Sequence, residues 1–456
     1  MSGFLTVGGA FNGQNGILSV PSALSSSVNT LLQTYLNGVT ASVTGGTASF
    51  TNNDIAAGTA FNISITGAPH FTEITNVDSV GASTNGAATG VASVAAGTTD
   101  LFVQVPGSVT VDGVASTSVA IFGGNSNVTY NVGGGTGSIF AAGGADSLNA
   151  TGSGSSYNVT SAGNDTLNFN GTNGVETVTA TGNATTSVFL GGGDVATVTA
   201  TGNSKVSVVF HTNAGGNLDF VNASSQAQTI FSGSYTTGGG QAVFAPNSLT
   251  VFGGSGGGFY VGGRGGFNSI NGGTGSSTLV GGGQGDTLIA GGADNRLFSG
   301  AGGETLMGAG TVNGFYLGLE EPGIGSIQAV GGLASAGGSG NQSFLIGNVD
   351  ATTLTGSTVS GSQNVFDVLG TYTTTGGQAL TFGGSSFTIN DFSGNDTIKL
   401  LQSVTNGAGG PSVESVQAGL TGGTQILLSD NTVITLSNVT TSQVSVNGAH
   451  NVITFI

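Results

Sequence analysis

Apolar residues recur along the middle of this chain at a fixed step of nine. Val243, Phe252, Val261, Ile270, Leu279, Leu288, Leu297, Leu306, Phe315, Ile324 and Leu333 follow one another at that interval without a break. An earlier run, Ile121, Tyr130, Ile139, Leu148 and Tyr157, keeps the same step. Between the two the step widens to ten, through Val178, Val188, Val198, Val208 and Leu218, and the heptapeptide TVTATGN stands at both 177–183 and 197–203. A unit this short cannot hold a helix pair or a propeller blade; it suits one short strand followed by one tight turn.

Two such units make one flattened coil. Stacked coils place each inward apolar side chain about 4.8 Å from its counterpart, satisfy the backbone through ladder hydrogen bonds between coils, and call for glycine where a turn needs φ > 0. The expected fold is therefore all-β, a parallel β-solenoid of the β-roll or β-helix kind, built of half-coils of nine or ten residues over 111–338. No coil buries its core alone, so stability sums over neighbours and the end coils present open edges.

The flanks differ. Residues 1–110 are the least periodic and read as a β-rich capping or assembly region with one helix near 21–37. There Leu24, Val28, Leu31, Leu32 and Tyr35 share one helical face, Pro21 is tolerated in a first turn, and Gly38 can end the helix. Such a helix either packs on the β-structure or docks on a neighbouring subunit. Residues 339–456 read as a β-rich C-terminal region, with alternating strands at Thr424–Ser429 and Thr432–Ser437.

Composition narrows the reading. Glycine accounts for 88 of 456 residues, proline for 6, charged residues for 5% and hydrophobic residues for 37%. That is too apolar and too weakly charged for a disordered chain, and the glycines lack the three-residue period of collagen. Four basic residues, Lys205, Arg264, Arg296 and Lys399, stand against 21 acidic ones, for a formal charge of -17. Phosphate backbones and anionic membranes would repel such a chain, so nucleic acid is not an expected partner. There is no cysteine, no apolar run of about 18 residues that would span a membrane, and no Sec-type pattern in Met1–Val20, so export would use a signal elsewhere.

Several segments resemble the G-G-x-G-x-D-x-U-x nonapeptide of RTX (hemolysin-type) proteins. They are Gly281-Gly-Gly-Gln-Gly-Asp286-Thr-Leu288, Gly300-Ala-Gly-Gly-Glu304-Thr-Leu306, Gly163-Asn-Asp165-Thr-Leu167 and Gly394-Asn-Asp396-Thr-Ile398. The pattern departs from the family at Gln284 and Ala293, where glycine is expected, and at most acidic positions. The resemblance implies Ca²⁺ held between coils by acidic side chains and turn carbonyls, here at Asp286 and Glu304 with Asn268, at Asp146 with Asp165, and at Asp396. Phe387-Thr-Ile-Asn-Asp391-Phe-Ser-Gly-Asn-Asp396-Thr-Ile-Lys-Leu400 is similar to the stretch that follows the repeats in RTX exoproteins, which implies type I secretion from a Gram-negative bacterium.

Independently of the resemblance, the position two before each apolar residue of the main ladder reads Asn268, Ser277, Asp286, Asn295, Glu304, Asn313, and all six carry a side-chain oxygen. With successive units on opposite edges, Asn268, Asp286 and Glu304 should share one edge and Ser277, Asn295 and Asn313 the other.

Catalytic constellations are not evident. His70, His211 and His450 are far apart and none forms H-E-x-x-H; Gly253-Gly-Ser255-Gly-Gly257 satisfies G-x-S-x-G without a strand-turn-helix context; Glu320 and Glu321 alternate to opposite sides of an extended chain. Thr197, Thr199 and Thr201 could present hydroxyls to sugars or ice, although outward threonine usually reflects strand propensity. The expected function is a non-enzymatic secreted structural protein at the cell surface, assembling with itself into a surface layer, filament or biofilm matrix. The alternatives are a monomeric adhesin that binds cell-surface polysaccharide, and an exported hydrolase with an unrecognised site.

Overall fold

The computed structural model describes residues 3–11, 14–20, 50–55, 60–65, 71–76, 88–94, 100–105, 107–113, 119–122, 126–141, 143–210, 217–231, 241–244, 247–265, 267–309, 312–319, 326–332, 340–357, 362–373, 378–403, 410–420, 422–447 and 451–456. They are almost entirely β; the one helical segment among them is a 3₁₀ turn at Thr441–Gln443. The helix expected near 21–37 lies outside the described residues. The chain divides into two compact units, Met1–Gly238 and Gly239–Ile456.

The first unit is a parallel β-solenoid with two sheets, in which each strand pairs with the next strand but one. One sheet runs through Phe50–Ile55, Phe71–Asn76, Asp100–Gln104, Val119–Phe122, Thr136–Ala141, Ser156–Ser161, Val175–Ala180, Val195–Gly202 and Asn217–Ser224. The other begins at Ala60–Ile65 and ends at Gln228–Phe231. An antiparallel hairpin, Gly3–Phe11 with Gln14–Val20, precedes them. Register aligns the two heptapeptide copies residue on residue, Thr177 with Thr197 and Val178 with Val198. The widened step of ten therefore measures half a coil in this stretch.

The second unit is built the same way. One sheet contains Gly258–Val261, Ser277–Val280, Asp294–Phe298, Val312–Leu317, Gln342–Ile346, Asn364–Leu369 and Thr397–Leu401. The other contains Leu249–Phe252, Ser269–Asn271, Thr287–Ala290, Thr305–Gly308, Gln328–Gly331, Thr352–Thr355 and Ser386–Ile389. Antiparallel strands then replace coils: Val452–Phe455 on Thr397–Leu401, and Thr424–Leu428 and Val413–Ala418 beyond Val433–Leu436. Parallel pairing thus extends on both sides of 111–338. Coil length varies there, as in the 35-residue interval between paired Thr353 and Thr388, so the period fades while the stacking persists.

The core is a set of columns. Tyr260, Leu279, Leu297, Phe315, Phe344 and Phe366 stand one over another in one sheet, and Val251, Ile270, Leu288, Leu306, Ala329 and Leu354 in the other, all at most 1% exposed. Phe315, Phe344 and Phe366 stack nearly parallel at 4.7 and 4.8 Å, the coil spacing itself. In the main ladder the step of nine follows the core from Ile270 to Phe315, and in the earlier run it does so through Tyr130, Ile139, Leu148 and Tyr157. Tyr260 to Ile270 is a step of ten, so before it the inward residues are Val251 and Tyr260, while Phe252 is 46% exposed. In a strand a slip of one residue turns the side chain to the opposite face. Ile324 and Leu333 lie outside the described residues.

Glycine permits the turns to stack at backbone contact. A Cβ on Gly282 would overlap the carbonyl oxygen of Gly262 in the preceding coil, and Gly285 adopts φ +79. Outside the first unit's core, Asn131, Asn149 and Asn168 form an amide ladder at 2.7 and 2.8 Å that repeats coil by coil. The frame predicts that Leu288→Ala costs about 2–5 kcal/mol in denaturant unfolding and that Phe252→Ala, 46% exposed, costs less; equal losses would refute the inward register.

Candidate cation sites at the coil corners

Side chains alternate along a strand, so the residue two before each inward apolar residue also points inward, at the corner where a turn enters the sheet. Asn268, Ser277, Asp286, Asn295, Glu304 and Asn313 are all buried there. The two edges are those the spacing implies. Ser277 N–H donates to Asn295 Oδ1 (3.0 Å) and Asn295 Nδ2 to Asn313 Oδ1 (2.9 Å), each across 18 residues.

On the other edge Asp286 Oδ1 accepts from the backbone N–H (2.8 Å) and the amide (2.9 Å) of Asn268, one coil back. Its Oδ2 accepts from the same amide (3.0 Å) and from the N–H groups of Gly282 (2.8 Å) and Gly283 (3.0 Å) in its own turn. The side chain thereby ties a turn to the coil before it, using donors that the strand ladder leaves over. Glu304 completes the edge. Gly300 N–H donates to both its oxygens (2.7 and 2.9 Å), while burial, and secondarily the charge of Asp286, push its pKa up to about 8.

The same device recurs in the first unit. Asp146 accepts from Val128 N–H (2.8 Å), and Asp165 accepts from Asp146 N–H (3.1 Å) and the Ser161 hydroxyl (2.6 Å). Burial and then the neighbouring Asp165 raise Asp146 to about 8, and burial raises Asp165 to about 6 against those hydrogen bonds. Asp396 accepts from the N–H (2.9 Å) and amide (2.8 Å) of Asn364 and from Ser393 N–H (3.0 Å), and burial raises its pKa. Asp286 with Asn268 and Glu304, Asp146 with Asp165, and Asp396 with Asn364 form three separate clusters.

One cluster went unread in the sequence. Glu176 accepts from the Ser155 hydroxyl (3.1 Å), Asp194 accepts from the N–H groups of Gly174 (2.8 Å) and Gly191 (2.7 Å), and burial followed by the charge of Asp194 pushes Glu176 up to about 8. The signal was present: Glu176 stands two before Val178, and Asp194 two before buried Ala196. The same offset places Gln342 before Phe344, Asn364 before Phe366 and Gln228 before Ile230.

Calcium takes six to eight oxygens. Among the described residues no three Asp, Glu, His or Cys side chains converge. Asp286 already receives five N–H contacts, which leaves a cation no free lone pair there. Asp146 and Glu176 fit better, since Oδ2 of the first and Oε2 of the second are buried without a hydrogen-bond partner beside a second carboxyl. A hard cation held by Asp146 with Asp165, or by Glu176 with Asp194, would neutralise like charges that burial brings together.

The catalytic candidates of the sequence do not enter this geometry. His70, His211, His450, Glu320 and Glu321 lie outside the described residues. Ser255 sits in the turn between Leu249–Phe252 and Gly258–Val261, a strand-turn-strand setting. Among the described residues no helix is long and apolar enough to cross a membrane. No protein-family model, curated protein or solved structure matches the chain.

A carboxyl with a higher pKa folded than unfolded holds its proton more tightly in the native state. Its stabilising contribution is complete below the ordinary carboxylate range and is lost as pH climbs through the folded value. For Asp146, Glu176 and Glu304 that window runs from about 4 to about 8. Without divalent cations Tm should therefore fall as pH rises across this window, each group contributing up to about 1.4 kcal/mol per pH unit. Glu304→Gln should flatten the profile, and a Tm that rises with pH refutes the assignment. Asp286→Ala should cost more than Asp219→Ala, because about 1–3 kcal/mol accompanies each buried donor left unpaired; chemical denaturation of both variants compares them.

Proposed function

We propose that this chain is a non-catalytic structural protein that assembles with copies of itself at the cell surface, as a surface layer, filament or biofilm matrix. The observation that carries the reading is the open end of its sheet. Val413–Ala418 pairs on one side only among the described residues, and none of its side chains is buried. A strand edge of that kind accepts another strand, and contacts between unlike surfaces of identical subunits propagate into fibres or sheets wherever their rotation does not close a ring.

The RTX-like repeats support export by a type I apparatus of a Gram-negative bacterium, with Ca²⁺ as the stabilising cofactor. Calcium also fits the electrostatics. Subunits of charge -17 repel one another, and a bound dication lowers that repulsion while offsetting the buried carboxyl pairs.

Purified full-length chain examined by light scattering and negative-stain microscopy, with Ca²⁺ and with EGTA, tests this. Concentration-dependent ordered polymers are the expected outcome, shorter or fewer in EGTA. A monomer across the whole concentration range in both conditions overturns the proposal.

A further inference from the structure

The outer face of one sheet in the second unit carries a groove of about 400 Å³. That volume is within the range of small-ligand sites. Its walls follow from register. Outward residues form two columns, Phe259, Thr278, Arg296 and Gly314 in one, and Val261, Val280, Phe298 and Tyr316 in the other. Phe298 and Tyr316 stack with ring centroids 4.2 Å apart and planes 11° from parallel. Gly314 leaves room for the Tyr316 ring, since a Cβ there would come within 3.1 Å of it. Gly281, Gly282 and Gly300 line the groove too, and Gly282 and Gly300 donate to the buried carboxyls of Asp286 and Glu304 behind them.

The charged side chains that line the groove carry the sign opposite to the chain's net charge. Four basic residues exist in the whole sequence, and two of them, Arg264 and Arg296, line it and are exposed. Among the described residues lining it none is acidic.

We propose that this groove binds an acidic sugar unit of a polysaccharide. A pyranose has one flat C–H face and a hydroxylated rim. The C–H face packs on Phe298 from the side turned away from Tyr316, because the two rings cover one face of each other. A carboxylate on the ring accepts paired N–H bonds from a guanidinium, a geometry that suits arginine and not lysine. Thr278 offers a hydroxyl between Phe259 and Arg296 for the sugar's own hydroxyls. The inference does not depend on self-assembly, since the groove belongs to a single chain.

Calorimetric titration of the full-length chain with trigalacturonate, against maltotriose as the neutral control, provides the test at probe concentrations up to about 10 mM, where millimolar affinity is visible. Trigalacturonate should bind, maltotriose at least about tenfold more weakly, and added salt should weaken the acidic probe. Arg296→Gln should reduce trigalacturonate affinity about tenfold or more and Arg296→Lys less, with circular dichroism unchanged because Arg296 is exposed. Tyr316→Ala should weaken both sugars, and because Tyr316 also packs against Leu319, Leu369 and Phe382, that variant's melting temperature is measured alongside. Absence of trigalacturonate binding overturns the proposal, as does binding that Arg296→Gln and Tyr316→Ala both leave intact. Self-association that Arg296→Gln abolishes, in a chain that binds no sugar, would overturn it too and assign the groove to a second copy.

Discussion

Everything in this molecule follows from parallel coils set in register at the spacing of a β-ladder. Each residue then has a residue of the neighbouring coil directly over it, close enough that the two side chains must tolerate each other. Apolar columns satisfy this inside each solenoid, and Phe315, Phe344 and Phe366 do so by stacking ring on ring. Outside, amides satisfy it, since each can donate to the one before and accept from the one after.

Charge is what such a stack tolerates least, which explains a chain with only 5% charged residues. Where charges occur within strands they are offset by unlike partners. Lys399 lies over Asp367, and Arg296 lies between Thr278 and Gly314. The buried acids obey the same constraint. Asp286 and Asp396 accept N–H donors from Asn268, Asn364 and the turns, while Asp146 beside Asp165 and Glu176 beside Asp194 are pushed toward protonation. A proton and a bound cation are alternative answers to one problem, and the orphan oxygens of Asp146 and Glu176 are where that choice is left open. The outward Phe298–Tyr316 pair is a by-product of the same stacking, and it lines the groove together with Arg264 and Arg296.

The solenoid and the pairing of corner residues into two edges were legible in the sequence, because a repeated step converts directly into repeated neighbours. Asn268 with Asp286, and Asn295 with Asn313, follow from an interval of 18 and the alternation of strands. The groove was not legible. Arg264, Arg296, Phe298 and Tyr316 look unrelated along the chain, and Phe298 and Tyr316 become stacking partners only once residues 18 apart are laid side by side. Glu176 and Asp194 were also missed, although the two-residue offset before an apolar position would have found them.

What the sequence alone determined is therefore the periodic part: the strand-turn unit, the parallel stacking of coils and the identity of the buried corner positions. Tertiary structure decided the frame and the chemistry. It placed Val251 and Tyr260 inward instead of Phe252 and Val261, and it carried the coils beyond the span where the period can be seen. It also showed which carboxyl oxygens are saturated and which are not. The reason is that a period specifies which residues are neighbours, while turn length specifies the face each presents, and one added residue in a turn reverses that face without disturbing the period around it.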